Sequence, residues 1–166
     1  MPIKTDGLVH LFIVAATIIA SVGLFAISLF YPAFNLSDGS SYGGLVTLLI
    51  GWMGLAGLGD EKYGGIGLLA WYANLFLVPV WLGLVLPKFR FATIGGLTLV
   101  IIGLGLASSA LLIKSMLVDE GGHTAEITSM GSGFYLWLSS FVICVVGYLA
   151  VIAWAIINPK KAMTNQ

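Results

Sequence analysis

The sequence predicts an all-α membrane protein with four transmembrane helices and one short re-entrant or interfacial helix at about residues 44–58. Three observations carry this. Only 8% of the 166 residues are charged and 59% are hydrophobic, whereas soluble domains run near 25% charged and about 45–50% apolar. Mean hydropathy is +1.05. Four stretches free of Lys, Arg, Asp and Glu, residues 8–30, 66–86, 91–113 and 134–157, each match the length of about 20 residues that a crossing needs. The whole chain reads as one membrane domain, with outer loops at 31–65 and 114–133.

The first stretch follows Lys4, as a signal peptide would. Its apolar core is longer than the about 7–15 residues of a cleaved signal, so it reads as a retained anchor. Segment 44–58 (GLVTLLIGWMGLAGL) is apolar but short for a crossing. Charge decides its reading. If it does not cross and the N-terminus is cytoplasmic, Lys4, Lys88, Arg90, Lys160 and Lys161 lie inside, with only Lys62 and Lys114 outside. A fifth crossing would move Lys88, Arg90, Lys160 and Lys161 outside, against the positive-inside bias.

The second span, 66–86, holds Asn74 near its middle and Pro79 five residues later. Proline leaves the Leu75 carbonyl without its helical donor and favours a kink. The Asn74 amide is expected to bind that freed backbone or to bond across helices, with a polar contact in a ligand or lipid pocket as the functional alternative. The turn after residue 86 is tight, making the second and third spans antiparallel neighbours. The third span, 91–113, carries Gly103–Ala107 and Gly105–Ser109, both at the small-xxx-small spacing that permits close helix contact. The last span, 134–157, opens on aromatics. Trp71, Trp81, Tyr135, Trp137 and Trp154 are expected near span ends, at headgroup level. Glycine is abundant, at 22 residues. In a membrane it lets backbones approach closely.

Chemistry is sparse. No span has Lys, Arg, Asp or Glu in its middle, which weakens proton-coupled transport and charge-driven catalysis. Asp119, His123 and Glu126 are of metal-binding type, and the last two have helix-like spacing. Gly121 and Gly122 interrupt any helix there, so a solvated acidic loop is expected and no metal is assigned. Cys144, the lone cysteine, reads as a small buried filler. HExxH, GxxxxGK[ST] and CxxC are missing. No haem or other cofactor is expected, since His10 is the one histidine within a span. Zero formal net charge gives no footprint for nucleic acid.

The segments GWMGL (51–55), AWYAN (70–74) and GFYLWLSS (133–140) resemble those of small uncharacterised four-helix bacterial inner-membrane proteins. That resemblance implies a bacterial inner membrane and carries over no activity. The expected function is a non-enzymatic membrane subunit acting through helix packing, as an accessory component of a complex or as a homo-oligomer. Its partners are then the lipid bilayer and other membrane subunits or copies of itself. Asn74, Pro79, Trp52 and the small residues of the third span are its contact candidates. The alternatives are a small channel or carrier for a small or lipid-like solute, and thirdly a membrane-embedded enzyme built on His123.

Overall fold

The computed structural model describes residues 5–53, 65–86, 90–118 and 123–158. Helix α1 (Thr5–Ser28) leads into strands β1 (Pro32–Leu36) and β2 (Ser41–Gly43) and the short helix α2 (Gly44–Ile50). A 3-10 segment (Gly65–Ala73) continues directly into α3 (Asn74–Val85). Helix α4 (Arg90–Ser108) ends in a 3-10 turn (Ser109–Leu112), followed by β3 (Ser115–Leu117), β4 (Thr124–Met130) and α5 (Ser132–Ile157). Among the described residues four helices are long and apolar enough to cross a membrane: Gly7–Ser28, Gly67–Val85, Ala92–Leu112 and Ser132–Ile157.

The chain is mostly helical but not all-α. Both segments expected as loops form strands, joined in one antiparallel sheet of order β2-β1-β4-β3. A lone hairpin is marginal in water. Here each hairpin gains a neighbour when β1 pairs with β4, Phe34 opposite Met130 and Asn35 opposite Ser129. Gly39 makes the β1–β2 turn possible with a φ of 84°, a region side chains disfavour. The sheet is curled. Tyr42 on edge strand β2 donates its hydroxyl to the Leu117 carbonyl on the opposite edge strand, β3, at 2.6 Å.

Helices α1 and α5 pack antiparallel, and His10 near the start of one meets Trp154 near the end of the other, with ring centroids 5.1 Å apart. Small residues make the approach possible. On α5, Gly133, Ser140 and Gly147 recur every seven residues, facing Ser28, Ser21 and Thr17 of α1. A side chain at Gly147 would collide with Thr17, and one at Gly133 would meet the Ser28, Tyr31 and Pro32 carbonyls. Helices α3 and α4 complete the bundle around buried Leu77, Val80, Val100, Phe141, Cys144 and Tyr148. The Tyr148 hydroxyl donates to the Val80 carbonyl at 2.6 Å. It lies in a slot that exists only because Gly83 and Gly96 lack Cβ atoms.

Helix α2 does not join the core. It starts beside the end of α1, where the Gly44 and Leu45 amides donate to the Tyr31 and Leu29 carbonyls. Gly67, near the start of the second span, lies against Ile113 at that same sheet end of the bundle. The chain between α1 and the second span therefore returns to the end it left. Residues 54–58 of the short apolar segment lie outside the described residues. Helix α2 buries no residue fully. Its exposed face is Leu45, Val46, Leu49 and Ile50, continued by Trp52 and Met53.

Candidate functional site

Beneath the sheet lies a partly open cavity of about 100 Å³. Most elements at the sheet end contribute to it: Phe25 of α1, Phe34 of β1, Leu48 of α2, Ile113 beyond α4, Met116 of β3 and Trp137 of α5. The longest wall is the 3-10 segment. With three residues per turn, side chains at i and i+3 eclipse, so Leu68, Trp71 and Asn74 form one row, with Gly67 and Ala70 beside them. A run of nine residues is long for this helix type. It gives the cavity a straight wall that an α-helix would twist away.

The polar groups around the cavity already serve one another. The Trp71 indole donates to the Leu48 carbonyl at 2.7 Å, and the Asn74 amide nitrogen donates to the Trp71 carbonyl at 2.8 Å. The Trp137 indole donates to the Asn74 amide oxygen at 2.8 Å. The Ser28 and Thr47 hydroxyls donate to the Phe25 and Gly43 carbonyls. Tyr72 adds a further tie, from its hydroxyl to the Trp52 carbonyl at 2.9 Å. The described lining has no ionisable side chain.

A second polar node lies deeper, where Ser21 of α1 is the hub. Its hydroxyl donates to the Ser140 carbonyl at 3.0 Å and accepts from the Trp81 indole at 3.0 Å and the Cys144 thiol at 3.2 Å. Among the described residues no buried side-chain nitrogen or oxygen lacks a partner. Trp71, Trp81 and Trp137 thus turn their N–H groups into the protein rather than to a headgroup layer. A fixed acceptor one helix away holds the indole more firmly than exchanging water does.

The sequence-predicted residues separate. Asn74 bridges the second span to α5 and bonds Trp71, not the Leu75 carbonyl that Pro79 frees. Pro79 is exposed within α3, and Trp52 is exposed beside α2 with its carbonyl held by Tyr72. Gly103 and Ala107 are buried, and a side chain at Gly103 would meet Phe141 and Phe76. Gly105 is exposed with nothing within 4 Å. Ser109 is half-buried and caps its own helix through the Leu106 carbonyl at 2.7 Å. Glu126 sits exposed on β4 and His123 lies just before that strand, so part of the expected acidic loop is strand. Asp119 lies outside the described residues. Among the described residues no three His, Cys, Asp or Glu side chains gather as metal ligands.

Sequence reasoning missed Ser21, Thr17, Ser140, Gly147 and Tyr148. The signal was present as small residues every seven in the last span, Gly133, Ser140 and Gly147, and as the hydroxylated Thr17, Ser21 and Ser28 in the first; Tyr148 had no such signal. No protein-family model matches the sequence, and neither a curated protein nor a solved structure shows significant similarity to it.

Proposed function

We propose that the chain is a multi-pass protein of a bacterial inner membrane, with both termini cytoplasmic, and that it is a non-enzymatic subunit. It works by receiving a transmembrane helix of another subunit against the outward face of α4. One observation carries this reading. The two small-residue motifs of α4 divide: Gly103 meets the chain's own Phe141 and Ala107 is fully buried, whereas Gly105 is exposed and a side chain there would meet nothing within 4 Å. Exposed Ile94, Ile101, Ile102 and Leu112 border that face. A glycine among larger exposed apolar side chains suits close helix contact, which in lipid rests on van der Waals packing.

The orientation is supported by charge: Lys4, Lys88, Arg90, Lys160 and Lys161 fall in sequence beside the helix ends remote from the sheet. The bacterial location rests on the resemblance of segments 51–55, 70–74 and 133–140. A channel is less well supported, because apolar side chains and Tyr148 fill the space among α1, α3, α4 and α5.

The test is the native mass and protein composition of the particle extracted in mild detergent and in nanodiscs. We expect a particle larger than one chain, identified as self or foreign subunit by its composition. Gly105→Leu should reduce it to the single chain while leaving the chain's own stability within about 0.5 kcal/mol, as for other open surface sites. A monomer of the unaltered protein in both media would refute the proposal.

A further inference from the structure

We propose that the cavity beneath the sheet takes the end of a hydrocarbon chain, the acyl tail of a membrane lipid, inserted past α2. This rests on the membrane placement above but not on the α4 contact.

The lining selects the chemistry. A water molecule needs about 10–15 Å³ of this kind of volume and two to four polar partners. The cavity, at about 100 Å³, has room for several waters. Its indole and hydroxyl donors, however, are already engaged within the chain. Aliphatic and aromatic walls with few free donors favour an apolar occupant, and dry cavities of comparable size bind small hydrocarbons.

The wall selects the source. Helix α2 is a single layer: Gly44, Thr47, Leu48 and Gly51 touch the cavity and are half-buried, while Leu45, Leu49 and Ile50 on the other side are exposed. Both faces of the layer are apolar, so the medium beyond it is hydrocarbon once the helices span a bilayer. The layer is held to the 3-10 segment by hydrogen bonds from Trp71 and Tyr72 and by the contact of Gly51 with the Trp71 ring. A chain end that slips beside α2 breaks no buried core. The volume fits the last methylenes of a tail and leaves the headgroup outside.

The experiment reconstitutes the full chain in phosphatidylcholine nanodiscs containing a phosphatidylcholine with a diazirine near the end of one acyl chain. After irradiation, adducts are mapped by peptide mass spectrometry. Labels on buried Ile113, Phe134 and Phe34 are expected, beside labels on exposed Ile94 and Ile101 that report the bilayer itself. Ala110→Phe fills the cavity and should lower the labelling of Ile113 and Phe134 about tenfold, equivalent to about 1.4 kcal/mol of binding. The exposed labels should persist. Should that variant not fold, Met116→Trp at the half-buried rim serves the same purpose. Labels confined to exposed residues would overturn the lipid site and leave the membrane placement intact. No label anywhere would overturn both.

Discussion

The α1–α5 seam and the wall made by α2 and the 3-10 segment join helices by opposite means. At the seam, backbones approach because Gly133, Ser140 and Gly147 leave room, and Ser21 ties three helices at one buried point. At the wall, large rings hold the elements apart, and the join consists of hydrogen bonds from Trp71 and Tyr72 to backbone carbonyls. One join tolerates no added atom. The other encloses space. Stability is therefore expected to reside in the seam, and local opening in the wall.

The comparison breaks most sharply at Gly147. Gly147→Leu drives a side chain into Thr17 and should cost about 3 kcal/mol, the upper part of the overpacking range. Thermal unfolding in nanodiscs would read the loss, and an unchanged midpoint would show that the seam is looser than described. Ser21→Ala comes next. It removes the acceptor of the Trp81 indole and the Cys144 thiol and should cost about 2 kcal/mol, since a buried donor left alone costs more than its bond was worth. Adding Trp81→Phe to Ser21→Ala should cost less than the two separate losses summed, because the orphaned donor is gone.

Trp71→Phe probes the wall and should act locally. It removes the tie to Leu48, so amide exchange of residues 44–50 should quicken while global stability falls by about 1 kcal/mol or less. Equal quickening in α5 would mean that wall and seam are one cooperative unit. The smallest effect belongs to the β1–β2 turn. The Ser40 hydroxyl and amide, at 2.6 and 2.9 Å, hold the Asp38 carboxyl below its ordinary value. A depressed folded-state value stabilises the turn above the unfolded carboxylate range, and the effect is lost as pH falls through the folded value. Exchange of the Ser40 amide should therefore rise, relative to its intrinsic rate, on acidification. In Asp38→Asn that rise should be absent.

Legibility in the sequence followed the strength of each physical signal. Long uncharged runs identify four helices because lipid tolerates few alternatives. The short segment at 44–58 reads by elimination from charge, and its described part is a short helix whose start is bonded to the end of α1. The strands were missed because SYG and SML are only three residues long, too short for alternation to register, and gain partners only through long-range pairing. Asn74 stood out as an amide in an apolar run, yet its partner Trp137 lies 63 residues away. The glycine pattern in α4 drew attention, whereas the seven-residue ladder in α5 did not, since two of its members are separated by bulky Phe141, Val142 and Val145. No periodicity announces a nine-residue 3-10 run. It becomes visible only through the straight row of Leu68, Trp71 and Asn74.

The curl that brings Tyr42 to Leu117 governs what the sheet can recognise. An open sheet offers bare edge amides and carbonyls, which another chain can extend as an added strand. Here the two edge strands have three residues each, and one edge carbonyl is already occupied from across the curl. A neighbouring polypeptide finds at most a three-residue ladder to copy at either edge. So short an edge offers little to strand addition, and side-chain shape and charge dominate the surface at this end.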